Sequence, residues 1–197
     1  MAEQPVPQSP LASLADALAA TGADGVTLAA CPARARLNLR LDPEDGGALE
    51  AAGAALGGTL PLAPNTATAA ADGWSILWLG PNEWLVCGPA DDGAARAGAL
   101  EAALAGTHHA VTDVGAMYTT LTLAGANART VLMKGCRLDL HPRAFAPGAC
   151  AQTALARAQV ILHQIGAEPV YELTVRNSFA HYLASWLLDA MAEYRPA

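Results

Sequence analysis

Two runs, Trp74 to Leu79 and Glu83 to Cys87, are apolar on both faces and are separated only by Gly80-Pro81-Asn82. Three turn residues bring such runs side by side, so they read as paired inner strands around a tight turn. With 197 residues, 53% of them hydrophobic, the chain can bury a core around this hairpin, and disorder is excluded as its main state. A domain of this length buries roughly two-thirds of the surface of its unfolded chain, so it requires neither disulfides nor a structural metal. Only 5% of the residues are aromatic and 15% charged, so packing rests on Ala, Leu and Val plus four Trp. So little charge predicts surface left apolar for a partner.

The segments around the hairpin follow two periods. Leu37, Leu39 and Leu41 alternate with Arg36, Asn38 and Arg40, predicting a strand with one buried and one wet face. Before it, Ser9 and Pro10 start a short helix carrying Leu11, Leu14 and Leu18 and stopping at Thr21-Gly22. After it, an Ala-rich helix over 48–56 stops at Gly57-Gly58, and 59–73 reads as loop. Beyond the hairpin, Asp91 and Asp92 offer an N-cap for a helix to about Ala105, followed by a strand from Ala110 to Val114.

The order then restarts. Leu121 and Leu123 alternate with Thr120 and Thr122, a helix from Ala126 to Lys134 stops at Gly135, and strands are predicted over 152–165 and 169–176. With Asn177 or Ser178 as cap, Phe179, Tyr182, Leu183, Trp186, Leu187, Ala190 and Tyr194 recur at helical spacing and predict a final amphipathic helix. The sum is an α+β fold of two duplicated β-α-β-β-α units, each packing helices on one face of an antiparallel sheet. A single domain spans 1–197, with an N-terminal helix and lead-in over 1–34, a first unit over 35–114 and a second over 115–197.

The longest uncharged stretch, Ala51 to Ala71, is broken by glycines and prolines, so no membrane span is predicted. The first ten residues lack the basic and apolar regions of a signal peptide, and the chain is expected in the cytoplasm. Cys31, Cys87, Cys136 and Cys150 form no close pairs and read as reduced thiols. A net charge of −7 argues against nucleic acid as a partner, although residues 126–176 hold six basic against three acidic side chains. Phosphate-binding glycine loops, H-E-x-x-H and G-x-S-x-G are all missing from the sequence. No catalytic, cofactor-binding or metal-ligating residue is therefore assigned. The densest reactive cluster is Asp139-Leu140-His141-Pro142-Arg143, where an Asp could orient an imidazole for acid–base work. With no nucleophile or second carboxylate beside it, Asp139 reads instead as the cap of a turn.

Lys134-Gly135-Cys136-Arg137-Leu138-Asp139-Leu140-His141-Pro142-Arg143-Ala144-Phe145 and its continuation through Ala146-Pro147-Gly148 to Thr153 resemble the gamma subunit of heterotetrameric sarcosine oxidase. So do Leu79-Gly80-Pro81-Asn82-Glu83-Trp84-Leu85 and the stretch from Val175 to Leu183. More distantly, Asp113-Val114, then Leu121 to Gly125, then Pro147-Gly148 are similar to the folate-binding domain of the glycine-cleavage T protein, whose fold is a duplicated α+β arrangement. Where that family carries its catalytic aspartate, this chain has Ala158 to Gly166 with no carboxylate, which implies the fold without the reaction.

The resemblance implies a complex of alpha, beta, gamma and delta subunits that oxidises sarcosine to glycine with oxygen. Hydrogen peroxide is produced and the methyl carbon passes to tetrahydrofolate. FAD, FMN, NAD and zinc are expected on the partner subunits and no cofactor on this chain. A non-catalytic assembly subunit follows, with Arg137, Asp139, His141, Arg143 and Phe145 expected at the partner interface. The alternative is a stand-alone folate-binding or one-carbon-transfer module, which rests on fold analogy.

Overall fold

A computed structural model of the chain describes residues 8–21, 25–166 and 168–194. Along the chain run α1 (Ala15–Ala19), β1 (Thr27–Ala30), β2 (Arg34–Leu41), α2 (Gly46–Leu56), β3 (Ala67–Ala69), β4 (Ser75–Gly80) and β5 (Glu83–Pro89). They are followed by α3 (Gly93–Ala103), β6 (His109–Asp113), β7 (Tyr118–Ala124), α4 (Ala128–Met133), β8 (Cys150–Leu155), β9 (Ala158–Gly166), β10 (Val170–Arg176) and α5 (Asn177–Ala190). The strands form two five-stranded antiparallel sheets, ordered β3-β4-β5-β2-β6 and β1-β7-β10-β9-β8.

Leu37, Leu39, Leu41, Ile76, Trp84 and Val86 of the first sheet pack on α2 and α3 through Ala48, Ala52, Leu56, Leu100 and Leu104. In the second sheet Leu121, Leu123, Leu162, Leu173 and Val175 pack on α4 and α5 through Val131, Leu132, Leu183, Ala184 and Leu187. The opposite faces meet each other, with Leu77, Leu85 and Cys87 against Cys150 and Ile161. The order of layers is thus helix, sheet, sheet, helix. That explains why the β4–β5 hairpin is apolar on both faces.

The Gly57 stop forms as its composition predicts, at φ +65°, where a side chain on any other residue would be strained. Other expectations need correction. The lead-in contributes β1, which pairs with β7 in the second sheet. Residues 59–73 include the edge strand β3. The run 152–165 is two strands, turning at Ala156-Arg157 with Ala156 at φ +51°. On α5 the buried stripe is Ala180, Leu183, Ala184, Leu187 and Leu188, while Phe179 and Tyr182 are exposed. Arg176 occupies its N-cap, and the Asn177 side chain instead bonds Thr119 and the Ala116 carbonyl. The Asp92 N-cap of α3 makes no side-chain hydrogen bond. At the leading helix Ser9 Oγ accepts from the Leu11 amide, while the Gly22 stop lies outside the described residues.

Candidate functional site

Arg36 departs from the wet face expected of β2, because it is only 2% exposed, whereas Arg40 further along the same face is exposed as expected. In register it faces Cys87 on β5, and that face of the sheet lies against the second sheet. Its Nη2 donates to Thr120 Oγ1 at 2.6 Å, and Thr120 in turn shares a 2.7 Å hydrogen bond with Thr174. Nη1 reaches the carbonyls of Arg34 and Tyr118, both at 3.4 Å. Burial pushes the guanidinium below its ordinary pKa, yet a guanidinium stays charged in a protein. It is solvated by hydroxyls and carbonyls, which carry dipoles where a carboxylate would carry charge.

Two residues earlier, Arg34 reaches the same layer and pairs with Glu172 on β10, Nη1 to Oε1 at 2.8 Å. Glu172 stands directly opposite His163 of β9, whose Nδ1 is 3.9 Å from Oε2. Burial pushes the Glu172 carboxyl up, but His163 and the Arg34 guanidinium outweigh it and hold the group below the ordinary carboxylate value. A cavity of about 350 Å³ opens here, lined by Arg34, Thr68, Ser75, Gly148, His163 and Glu172.

Three thiols border the layer. Burial pushes Cys87 up to about 12 and Cys150 up to about 11, and it also raises Cys31, whose Sγ lies 2.9 Å from Thr122 Oγ1. Thiols held protonated in this way are poor nucleophiles. Among the described residues no group of three His, Cys, Asp or Glu side chains could hold a metal ion. The arrangement can tie two sheets together and hold a carboxylate ionised; it presents no activated nucleophile beside a base.

The five expected interface residues lie on the connection between α4 and β8, and four are on the surface. Arg137, Asp139, His141 and Arg143 are exposed. Asp139 does close a turn, its Oδ1 accepting from the His141 amide at 3.0 Å, with Arg143 Nη2 4.0 Å from Oδ2. Phe145 is different. It is 5% exposed and belongs to the core under α4 and α5, because the Phe145 amide donates to the His141 carbonyl and the chain folds inward there. It cannot serve as an exposed anchor.

Sequence reasoning missed Arg34, Arg36, His163 and Glu172. The signal was partial, since β2 and β10 each alternate polar with apolar residues and Glu172 on β10 is opposite in sign to the arginines of β2, while Arg176 at the end of β10 is not. Two polar faces of complementary charge can satisfy one another as well as they can satisfy water.

Residues 40–193 match the family described as sarcosine oxidase, gamma subunit. This chain belongs to that family. A sarcosine oxidase subunit gamma from Arthrobacter sp is 38% identical over 188 residues, 95% of this chain and 91% of the relative. One from Corynebacterium sp. (strain P-1) is 37% identical, with 96% and 92% covered. Among solved structures, a chain of the heterotetrameric sarcosine oxidase from Corynebacterium sp. U-96 superposes with a TM-score of 0.87 at 35% identity, covering 97% of each chain. The glycine cleavage system aminomethyltransferase T from Bartonella henselae shares the fold, with a TM-score of 0.69 at 16% identity over 91% of this chain and 56% of that one. No helix among the described residues is long and apolar enough to cross a membrane.

Proposed function

We propose that the chain is a non-catalytic assembly subunit of a cytoplasmic heterotetrameric sarcosine oxidase. The complex oxidises sarcosine to glycine with oxygen, releases hydrogen peroxide and passes the methyl carbon to tetrahydrofolate. The alpha, beta and delta chains are its partners, and they carry the FAD, FMN, NAD and zinc.

The observation that carries the reading is how the buried charges are used. Arg34 with Glu172 and Arg36 with Thr120 join the two sheets, His163 faces Glu172 from the neighbouring strand β9, and the nearby thiols are held protonated. A catalytic carboxylate would be free to exchange a proton with a substrate, whereas Glu172 is held ionised between two basic groups. The test is Glu172→Gln in the co-expressed complex, with turnover expressed per assembled tetramer. Turnover is expected within about twofold of wild type; a loss of about a hundredfold with assembly intact, the size of a missing catalytic contact, overturns the reading. Titration of the isolated chain with tetrahydrofolate is expected to be silent. Micromolar binding would favour the folate-binding alternative.

A further inference from the structure

Where β10 leads into α5, a second groove of about 500 Å³ is lined by Tyr118, Gln152, Arg157, Gln159, Arg176 and Phe179. Its position follows from register. Arg176 faces Tyr118 across β10 and β7, and Arg157 sits in the turn between β8 and β9. Both arginines are exposed, and neither guanidinium has a hydrogen-bond or ion-pair partner among the described residues.

No carboxylate lines the groove, on a chain where 18 acidic residues outnumber 11 basic ones. The first turn of α5 is likewise free of acidic side chains. Phe179 is 43% exposed at the rim, and Met117, next to Tyr118 in the chain, is 42% exposed. Arginine beside exposed aromatic and methionine side chains is the composition enriched at protein interfaces.

We propose that this groove docks an acidic segment of another subunit of the oxidase, its carboxylates on Arg157 and Arg176 and an apolar side chain against Phe179. The proposal rests on the reading of the chain as an assembly subunit. A small carboxylate would satisfy the arginines but leave the aromatic rim in water. A two-fold contact that set this groove against its own copy would bring arginines onto arginines, which is repulsive. A partner segment answers both the charge and the apolar rim.

The experiment is retention of the tagged gamma-type chain by the remaining co-expressed subunits, measured for Arg157→Glu/Arg176→Glu and for Arg157→Gln/Arg176→Gln, with circular dichroism confirming each fold. Charge reversal is expected to weaken retention by about tenfold or more, since it sets like charges against each other at the interface. Neutralisation is expected to weaken it less and to flatten its dependence on salt. Arg137→Glu/Arg143→Glu serves as a comparison at equal charge change and is expected to weaken retention less than reversal in the groove. Folded Arg157→Glu/Arg176→Glu retained like wild type removes the groove from assembly. A dimer of the chain alone that the same reversal dissolves assigns the groove to a second copy and also overturns the proposal. Failure of the wild-type chain to be retained at all contradicts the assembly reading instead, so the two failures are distinguishable.

Discussion

Phe145 follows Arg143 within a charged stretch of the chain, yet its ring lies in the core with Leu140 and the residues of α4 and α5. Local composition pointed outward; the backbone turn at His141 points the ring inward. Both the Ala144 and Phe145 amides donate to the His141 carbonyl, so the connection makes a tight turn that reverses the side-chain direction. No spacing rule in the sequence reports such a turn, because Pro142 and the charges on either side fit an exposed loop equally well. Truncation therefore tests stability before assembly. Phe145→Ala is expected to cost about 3–5 kcal/mol, the usual loss for a buried aromatic, read as a lowered urea midpoint of the isolated chain. An unchanged midpoint would return the ring to the surface.

At the scale of elements, periodicity found what local chemistry specifies. The β4–β5 hairpin, the glycine stop of α2 and the helix α5 all carry their own signals, namely a turn tripeptide, a left-handed glycine and an apolar recurrence. The edge strands β1 and β3 are short and composed of Ala, Thr and Leu, so nothing local separates them from loop; they exist because β7 and β4 offer free edges. The same limit applies to β2. Alternation announces two unlike faces, but it does not say whether the polar one meets water or another polar sheet. One glycine does carry an element-level constraint. Gly88 on β5 leaves room for the Trp74 indole, and a Cβ there would lie 2.1 Å from its ring carbon Cδ2. Trp74 is itself 2% exposed and cannot swing into solvent without opening the core of the first sheet. Gly88→Ala is expected to cost about 1–3 kcal/mol, with a red shift of tryptophan emission as the indole is displaced. Wild-type emission and an unchanged midpoint would show that the ring has another place to go.

At the scale of the molecule, the two sheets are held by a layer that mixes a small apolar patch with charge, and this makes their association dependent on pH. The tie between Arg34 on the first sheet and Glu172 on the second is the clearest case, since it spans 138 positions of sequence and joins the two halves of the chain. In the unfolded state a glutamate titrates near about pH 4.3. The folded carboxyl lies lower, because His163 and Arg34 outweigh the effect of burial. The stabilisation is therefore complete above the unfolded value and is lost as the pH falls through the folded one. Glu172→Gln removes the titration while keeping the shape. Near neutrality the variant is expected to be less stable by about 1.5–3 kcal/mol, the usual worth of a hydrogen bond to a charged group. Below about pH 4 the difference should begin to shrink, and the two proteins should converge once the pH has fallen through the lower folded value, where the wild-type carboxyl is itself neutral. The measurement is a series of urea midpoints for both proteins across that range. A difference that stays constant down to about pH 3 would mean that the carboxyl contributes by packing and not by charge, and the two sheets would then be joined by their apolar contacts and by Arg36 with its threonines.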